Sequence, residues 1–376
     1  MRILYDFQAF QIQQFGGISR YIVEISSRIA AAGWAEVYIF KGLHRSSLRW
    51  KPMGSSTQRS IGFRIGPVLS GLKPTSLINY AWFGLFQGVA EKFDILHFTY
   101  YPRSLVNRKG ARIVVSLYDM IPETFPSLYK GDPIIDRRRK AFQAADLILS
   151  ISESSRRDLL RFYQIDPGKI KVVHLASSLL PDQNKAITAV NKSGALSGKP
   201  FILYVGVRAG YKNFSAVLNA FGTDPLLYQN FDLCCFGSAP FSMDENHQIK
   251  NLRLRGRVRI LKGSDDFLRE CYKEASALVY PSLFEGFGLP LVEAMALGCP
   301  VAASDRGSVP EVLAGAGILF DPTHVEDIAR ALKVILFDED ARKACILKGL
   351  ERSRSFSWEN TAEQTLAAYS KCLQSY

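Results

Sequence analysis

Short apolar runs alternate with amphipathic stretches along nearly the whole 376-residue chain. One amphipathic stretch, Ile18 to Ala32, has its apolar residues at helical spacing. In the first half of the chain the apolar runs, rich in β-branched and aromatic residues, are RILYDF, AEVYIF, DILHFTY, RIVVSLYD, DLILSIS and IKVVHLA. This alternation predicts βαβ units, in which helices cover a parallel sheet.

The alternation is interrupted once and then restarts. Residues 181–199 are polar and contain Gly, Ser and Pro, which is typical of a linker. After Pro200 the apolar runs return as FILYVGV, FDLCCFG, VRILKG, ALVYPS, PVAASD and GILFDP. We therefore predict an α/β fold of two doubly wound, Rossmann-like domains, 1–180 and 200–357, which face each other across a cleft. The last helix, about 358–376, is predicted to pack back onto the first domain.

Composition favours a globular cytosolic protein. Apolar residues make up 47% of the chain and charged residues 22%, which is ordinary for a folded domain. The six cysteines form no C-x-x-C pair and no Cys/His spacing suited to zinc, so we interpret them as reduced thiols. The uncharged run from Thr75 to Ala90 is shorter than the roughly 20 residues of a membrane-spanning helix, and we predict a core or interfacial helix there.

The positive charge of the chain is concentrated in its first half. Residues 1–199 carry 28 Lys and Arg against 14 Asp and Glu, whereas residues 200–376 carry 19 against 21. Residues 41–73 contain no acidic residue, and RRRK at 137–140 adds a second basic cluster. The basic residues of the first stretch are Lys41, Arg45, Arg49, Lys51, Arg59, Arg64 and Lys73, with Trp50, Phe63, Leu69 and Leu72 interleaved.

Two partners fit this basic half of the chain. Basic side chains with apolar neighbours bind anionic membrane surfaces, so we predict that the first domain docks on the inner leaflet of the cytoplasmic membrane. Ordinary surface charge is the alternative. Nucleic acid is the rival partner, and we predict none because neither half carries an RNA-recognition or zinc-finger pattern.

The stretch from 281 to 300, PSLFEGFGLPLVEAMALGCP, follows the strand-like run ALVYPS and carries a predicted anion site. Pro290 suits the first position of a helix, where its missing N–H has no cost. The backbone N–H groups of Gly288 and Leu289 would then lie at the positive helix end, where a phosphate binds well. Gly286 and Gly288, on either side of Phe287, allow the backbone to approach a ligand closely.

Two carboxylates eight positions apart, Glu285 and Glu293, flank this loop. We expect Glu293, in the first helical turn, to accept hydrogen bonds from two vicinal hydroxyls such as a ribose diol. Glu285 would reach hydroxyls on the far side of a diphosphate, so the pair would span a nucleotide-sugar. In the alternative interpretation, Glu293 only complements the helix dipole and Glu285 is a solvated loop residue.

The pattern E-G-F-G-L-P-x-x-E-A-M-A-x-G-x-P resembles the E-x7-E signature of family 4 retaining glycosyltransferases, which have the GT-B fold. The resemblance extends over nearly the whole chain and is greatest to bacterial mannosyltransferases of O-antigen and related polysaccharide synthesis. Other segments that fit are FGGISRYIVEI, ILHFTYYPR, LYDMIPETFPSLY, ISESSRRDLL, YVGVRAGYKNF and FGSAPFSMDE.

The resemblance implies an activity. The expected enzyme is a retaining hexosyltransferase that uses GDP-mannose and needs no metal or other cofactor. Its expected acceptor is a lipid-linked or polysaccharide glycan, with a polyprenyl diphosphate as the lipid carrier. It would work in the cytoplasm, peripheral on the inner face of the membrane. Two alternatives stay open: the same fold with a UDP-sugar donor, and a nucleotide-sugar-binding module without turnover. A GT-B epimerase fits E-x7-E poorly.

The resemblance also implies donor-binding residues outside the signature. Arg208 and Lys212 would grip the donor diphosphate, and being four apart they share a face if their segment is helical. With a helix N-terminus they would neutralise the leaving charge without a metal. Gly16 and Gly17, which follow the first strand, would face the donor phosphates, and Lys262 is a candidate contact of the base.

The reaction centre departs from the family pattern. Relatives carry His-Asp where this chain has Tyr118 and Asp119, and tyrosine is not a base near neutral pH. This departure favours a front-face mechanism, in which the leaving diphosphate oxygen takes the acceptor proton. His97 could supply an imidazole instead, although a lone histidine at a strand end is often structural. The D-x-D match at 338–340 precedes a helical pattern and is predicted to be a helix N-cap rather than a metal site.

Overall fold

The computed structural model describes residues 1–12, 17–46, 58–65, 73–90, 92–105, 110–179, 198–208, 210–237 and 239–374. The chain divides into two compact units, one made of Met1–Leu175 with Trp358–Tyr376 and the other of Ala176–Ser357. The division falls five residues before the predicted end of the first domain at 180. Most of the predicted linker, 181–197, lies outside the described residues.

The first unit is built on a parallel sheet with the strand order β3-β2-β1-β4-β5-β6-β7 in its described part. Its strands are β1 (Arg2–Tyr5), β2 (Glu36–His44), β3 (Gln58–Arg64), β4 (Ile95–Phe98), β5 (Arg112–Leu117), β6 (Leu147–Ser150) and β7 (Ile170–Val172). Its helices are α1 (Gln8–Ile12), α2 (Gly17–Ala31), α3 (Lys73–Val89), α4 (Ile121–Thr124), α5 (Ile134–Ala144), α6 (Glu153–Phe162) and, from the end of the chain, α15 (Trp358–Gln374).

The apolar runs became strands because both faces of the sheet are covered. Residues such as Ile3, Leu4 and Ile95 are completely buried, as expected for central parallel strands. Helix α15 packs on α2, where the rings of Tyr21 and Trp358 lie 6.3 Å apart. The sequence-based prediction of a helix over 18–32 therefore corresponds to α2.

The second unit has a parallel sheet with the order β10-β9-β8-β11-β12-β13. Its strands are β8 (Phe201–Val205), β9 (Asp232–Phe236), β10 (Val258–Leu261), β11 (Ala277–Tyr280), β12 (Val301–Ser304) and β13 (Ile318–Phe320). Its helices are α7 (Phe214–Thr223), α8 (Pro225–Asn230), α9 (Met243–Asn251), α10 (Asp265–Glu274), α11 (Leu289–Ala296), α12 (Val309–Leu313), α13 (Val325–Phe337) and α14 (Glu339–Ser353).

Each sheet has one position where the strand order reverses. In the first unit the chain runs outward from β1 to β3 and then resumes on the other side of β1 with β4. In the second unit the same reversal falls between the neighbours β8 and β11. Ligands of open α/β sheets bind beyond the carboxyl ends of the strands at such a switch point. These two positions are therefore where functional side chains are expected.

The run from Thr75 to Ala90 forms most of helix α3, which has both a packed and an exposed side. Phe83 is buried in the core, whereas Leu77, Leu85 and Val89 are exposed. No helix among the described residues is long and apolar enough to cross a membrane.

Candidate active site

Lys212 and Glu285 form an ion pair at the switch point of the second unit. The Lys212 Nζ lies 2.6 Å from Glu285 Oε1, and the two side chains are only 20% and 8% exposed. Lys212 comes from the loop after β8 and Glu285 from the loop after β11, which are neighbouring strands. The sequence predicted both residues as donor ligands but not their contact with each other.

Backbone and aromatic contacts hold this pair. The Leu283 N–H donates to the Tyr211 carbonyl at 2.8 Å, which ties the two loops together beside the ion pair. The Lys212 ammonium lies 5.3 Å from the Tyr211 ring centre and 5.8 Å from that of Tyr280. Burial, together with the charge and hydrogen bond of Glu285, raises the pKa of Tyr280 well above its ordinary value, so this phenol stays protonated.

The glutamate loop is clamped from the segment that follows β12. The Ser308 hydroxyl contacts the carbonyls of Glu285 and Phe287 at 3.1 and 2.9 Å. Gly307 has a φ of +60°, and a Cβ there would come within 3.0 Å of the Glu285 backbone. Gly307 thus permits the close approach of its backbone to that of Glu285, which fixes Glu285. No motif in the sequence predicted this role.

Helix α11 begins one residue earlier than predicted. Gly288 is its N-cap with a φ of +100°, Leu289 is the first helical residue, and Pro290 is the second. The N–H of Leu289 is one of the donors that a helix N-terminus leaves without an intrahelical acceptor. Because of this shift, Glu293 lies in the second turn rather than the first. The predicted arrangement of a glycine loop followed by a helix N-terminus is present.

Glu293 is buried and already hydrogen-bonded. The Ser177 hydroxyl donates to its Oε1 at 2.7 Å and the Tyr272 phenol donates to its Oε2 at 2.9 Å. Each carboxylate oxygen can accept a second hydrogen bond, so a diol contact is compatible with these partners. Ser177 lies 116 residues from Glu293, and nothing in the local sequence predicted the contact.

Arg208 does not share a helical face with Lys212. The described part of the segment between them forms the short 3-10 turn Gly210–Lys212, and the guanidinium turns toward helix α9. Its Nε donates to Glu245 Oε1 at 2.9 Å, and its Nη2 donates to the carbonyls of Ala239 and Pro240. Glu245 also completes a capping box with Ser242. The condition of a helical segment is not met, because the described part of the loop after β8 forms no α-helix before Phe214.

At the carboxyl end of β5, Tyr118 and Asp119 have structural partners. The Tyr118 phenol is buried and donates to the Thr99 carbonyl at 2.9 Å. Asp119 accepts from the Ile121 N–H at 2.9 Å and lies 3.6 Å from the buried guanidinium of Arg138. Burial raises the pKa of Tyr118 well above its ordinary value, which keeps the phenol neutral.

The expectation of a catalytic imidazole at His97 was wrong. His97 is completely buried inside the first unit. Its Nδ1 lies 2.6 Å from the Tyr369 hydroxyl and its Nε2 lies 2.8 Å from the Ser116 hydroxyl. Burial lowers the pKa of His97 to about 3, so the ring is neutral. The structural alternative for this strand-end histidine is the correct one.

The remaining predicted site residues are dispersed. Gly16 lies outside the described residues, and Gly17 is the exposed first residue of α2. Lys262 is exposed just after β10. Asp338 caps α14 by accepting from the Ala341 N–H at 2.9 Å, which confirms the helix-cap interpretation of the D-x-D match. Within the described ranges, no group of three or more His, Cys, Asp or Glu side chains is arranged to hold a metal ion.

Two members of the predicted basic surface are interior residues. Lys41 is buried, with its ammonium 5.2 Å from the Phe10 ring centre. Arg138, in the RRRK cluster, is buried against Glu123 at 2.9 Å. Arg59 and Arg64 are exposed on β3. Arg49, Trp50, Lys51, Leu69, Leu72 and the side chain of Lys73 lie outside the described residues.

Comparison with known proteins agrees with the fold and shows the family. Residues 15–176 match the family model described as Glycosyltransferase Family 4, and residues 187–352 match the model described as Glycosyl transferases group 1. O-antigen chain mannosyltransferase B of Escherichia coli is 29% identical over 366 residues, covering 94% of this chain and 95% of that protein.

Two further comparisons extend this result. Serotype-specific mannosyltransferase WbdA of Escherichia coli is 28% identical over 278 residues, covering 70% of this chain, which spans only 34% of WbdA. Sucrose-phosphate synthase from Thermosynechococcus elongatus has a similar structure, with a TM-score of 0.76 at 19% identity and coverage of 100% of this chain and 99% of that one. The two family models together account for most of the sequence, and the chain is therefore a glycosyltransferase that belongs to family 4 and has the GT-B fold.

Proposed function

We propose that this chain is a retaining, metal-independent hexosyltransferase of bacterial cell-surface polysaccharide synthesis, and that it transfers mannose from GDP-mannose to a lipid-linked or polysaccharide glycan. The observation that carries the proposal is the Lys212–Glu285 ion pair, which lies at a topological switch point together with the N-terminus of α11. This combination suits a nucleotide-sugar, which has a diphosphate beside a hydroxyl-rich ring.

The chemistry assigned to these groups is charge neutralisation and positioning. The leaving nucleoside diphosphate gains negative charge as the glycosidic bond breaks, and a cation with a helix N-terminus stabilises that charge. Lys212 and the Leu289 N–H are the proposed contacts. Glu285 holds Lys212 and accepts a sugar hydroxyl, while Glu293 accepts from the ribose. Arg208 would have to exchange Glu245 for the diphosphate to act as a second cation.

The front-face mechanism is favoured by the two side chains that are unsuitable as bases. The Tyr118 phenol is committed to the Thr99 carbonyl, and both ring nitrogens of His97 are hydrogen-bonded in the core. A leaving diphosphate oxygen is then the proposed acceptor of the proton. Asp119, whose side chain is 26% exposed, is the proposed carboxylate of the first unit at the reaction centre.

The choice of mannose rests on similarity. O-antigen chain mannosyltransferase B, one of the relatives that align over nearly the whole chain, supports GDP-mannose as the donor. A UDP-sugar donor remains the competing proposal, because the E-x7-E loop contacts diphosphate and hydroxyls that all nucleotide-sugars share.

One assay tests the donor and the chemistry together. Purified protein is incubated in excess EDTA with a polyprenyl-diphosphate-linked glycan as acceptor and with either GDP-mannose or UDP-glucose as donor. The release of GDP or UDP and the anomeric configuration of the product are measured. We expect GDP release and an α-linked product in EDTA. Preferential UDP release would overturn the mannose assignment, and activity that requires added magnesium or manganese would overturn the metal-independent mechanism.

Docking on an anionic membrane is proposed for the exposed side of α3. Leu77, Ile78, Leu85 and Val89 are all more than half exposed there. The exposed Phe63 ring of β3 stacks on Trp82 of α3 at 5.9 Å, so the apolar surface continues onto the strand that carries Arg59 and Arg64. Apolar side chains beside exposed arginines favour an anionic bilayer as the partner.

Flotation with vesicles containing anionic lipid tests this surface. The variant Leu77→Asp with Leu85→Asp should lose binding. The matched control is Leu347→Asp on α14, since Leu347 is equally exposed at 68% but lies in the second unit. Equal flotation of both variants, or no flotation of the parent protein at low salt, would refute the docking proposal.

A further inference from the structure

A cavity of about 520 Å³ lies in the first unit, at the end of the sheet opposite to the residues assigned to its reaction centre. Its walls come from the first residues of the neighbouring strands β5, β6 and β7 and from the last turns of α15. Tyr118 and Asp119 instead follow the carboxyl end of β5. At about 3.3 Å per residue, the six residues of β5 separate its two ends by roughly 16 Å. The cavity is therefore distinct from the reaction centre, and its volume is in the range of small-ligand sites.

The charge of the cavity favours an anion with two negative charges. Four cationic side chains line it, against two carboxylates: Arg112, Lys169, Lys171 and Lys371 against Asp146 and Asp166. Each carboxylate already accepts from a backbone N–H, that of Ile113 at 2.7 Å for Asp146 and that of Gly168 at 2.8 Å for Asp166. A phosphate monoester carries a charge of about −1.5 to −2 at neutral pH, which matches the excess of positive charge.

The cations can donate to a phosphate from more than one side. Lys171 is an exposed residue of β7, whereas Lys371 is an exposed residue of α15. The Lys169 ammonium donates to the Ala145 carbonyl at 3.2 Å and has two further N–H groups. Arg112 adds a planar guanidinium, which suits paired hydrogen bonds to phosphate oxygens. A phosphate in the cavity thus has donors from the sheet and from the helix.

The rest of the wall indicates what the phosphate is attached to. Among the described residues that line the cavity none is aromatic, so a nucleobase has no ring on which to stack. A carboxylate accepts up to about four hydrogen bonds, so Asp146 and Asp166 can also accept from ligand hydroxyls. The apolar lining residues Leu147, Ile170 and Ala368 are buried, which leaves no exposed apolar group to enter a bilayer. A soluble, hydroxyl-rich phosphate ester fits these walls better than a nucleotide or a lipid.

The cavity also adjoins the contacts that hold α15 on the sheet. Tyr369, in the same helical turns, is completely buried. Its hydroxyl lies 2.6 Å from His97 Nδ1 and 3.2 Å from the Tyr5 hydroxyl. A ligand that contacts both Lys171 and Lys371 would join the end of α15 to β7. It would therefore stabilise the packing of the helix that returns the chain from the second unit to the first.

We propose that this cavity binds a soluble sugar phosphate, with the phosphate between Lys171 and Lys371. The sugar hydroxyls donate to the carboxylates of Asp146 and Asp166. The ligand takes no part in transfer, and it stabilises the end of α15 from the edge of the sheet opposite to the reaction centre. Its binding does not depend on which donor sugar the chain uses.

Titration calorimetry without turnover tests the site. Mannose 6-phosphate, mannose and inorganic phosphate are compared on the parent protein and on Lys171→Gln with Lys371→Gln. We expect mannose 6-phosphate to bind at least roughly tenfold more tightly than either fragment, and the double variant to lose at least roughly tenfold of that affinity, because charge-assisted hydrogen bonds are lost. The matched control is Lys130→Gln with Lys140→Gln, which removes the same charge from exposed residues of this unit outside the cavity.

A second variant tests the position of the ligand without removing a cation. Ala367 is an exposed residue of α15 that lines the cavity, so Ala367→Glu adds a carboxylate where the phosphate is proposed to bind. It should also abolish binding of mannose 6-phosphate. Full affinity in this variant or in the double lysine variant would overturn the proposal, as would an equal loss of affinity in the control.

Competition and vesicle binding separate this site from the others. Saturating GDP should leave the affinity for mannose 6-phosphate unchanged, and competition between them would assign the sugar phosphate to the donor site instead. Inorganic phosphate that binds as tightly as mannose 6-phosphate would contradict recognition of the sugar. If only phosphatidylinositol vesicles bind, and the double lysine variant loses that binding, the cations contact a membrane and the proposal of a soluble ligand is wrong.

Hydrogen exchange tests the effect on α15. With mannose 6-phosphate at saturation, the amides of the last turns of α15 should exchange at least roughly tenfold more slowly in the parent protein, because opening of those turns then requires loss of the ligand. The double lysine variant should show no such protection. Unchanged exchange in the saturated parent protein would refute the proposed link between α15 and β7.

Discussion

Removing the ammonium of Lys212 while keeping the length of its side chain should disable transfer more than it destabilises the fold. In Lys212→Met, the 2.6 Å contact with Glu285 Oε1 is lost, as is the proposed contact with the diphosphate. A hydrogen bond to a charged group contributes about 1.5–3 kcal/mol. Each tenfold change in rate corresponds to about 1.36 kcal/mol of activation free energy. Loss of such a contact in the transition state should therefore raise the activation free energy by about 2.7 kcal/mol, which lowers kcat/KM roughly a hundredfold.

Lys212→Met should also lower the stability of the fold, and this effect can be separated from the loss of transfer. Glu285, only 8% exposed on its side chain, would be left without its cation, which costs about 1–3 kcal/mol of the free energy of unfolding. Adding Glu285→Gln neutralises the unpaired carboxylate, so the double variant should recover part of the melting temperature. Transfer should not recover, because the cation for the diphosphate is still absent.

Steady-state kinetics and thermal melts of the same samples provide the test. The matched control is Lys343→Met, because Lys343 forms a 2.8 Å pair with Glu339 that is exposed on α14. It should leave both kcat/KM and melting temperature nearly unchanged. Transfer by Lys212→Met within threefold of the parent enzyme, or restored in the double variant, would refute the assignment of Lys212 to the leaving group.

Three further predictions concern other parts of the chain. His97→Asn should flatten the acid dependence of stability, because the histidine takes up a proton near pH 6.5 in the unfolded chain and only near pH 3 in the folded one. The free energy of unfolding of the parent, measured with urea, should therefore fall by about 2 kcal/mol between pH 7 and pH 5. The same pH dependence in His97→Asn would contradict this prediction. Gly307→Ala should displace Glu285 and reduce kcat at least tenfold. It should also lower the melting temperature modestly, because alanine is strained at the φ of +60° that Gly307 adopts. Full activity would show that the clamp on Glu285 is dispensable. Asp338→Ala with Asp340→Ala should leave transfer unchanged both in EDTA and with added magnesium, and lower only the melting temperature through the lost helix cap. Stimulation of the parent enzyme by magnesium that is lost in the variant would revive the metal interpretation.

The parts of the site that the sequence predicted are those encoded locally. The order of a strand, a glycine loop and a helix around Gly288 follows from residues that are neighbours in the chain, and only the first helical residue was displaced by one. Asp338 as a helix cap is equally local, since its partner is three residues away.

The parts that could not be predicted depend on contacts between distant segments. The partner of Arg208 is Glu245, 37 residues away, and that of His97 is Tyr369, 272 residues away. A charged or titratable residue next to a strand has the same local appearance whether it faces a ligand or the core. The packing of α15 on the first unit, rather than the pattern around His97, determines that this imidazole is structural.

The central claim is that Lys212 and the N-terminus of α11 hold the donor diphosphate. A crystal structure with intact GDP-mannose, grown in EDTA, tests it most directly. The claim predicts diphosphate oxygens within about 3.2 Å of Lys212 Nζ and of the Leu289 N–H, the range of ordinary hydrogen bonds. A diphosphate bound elsewhere in the protein, with Lys212 still paired only to Glu285, would contradict it.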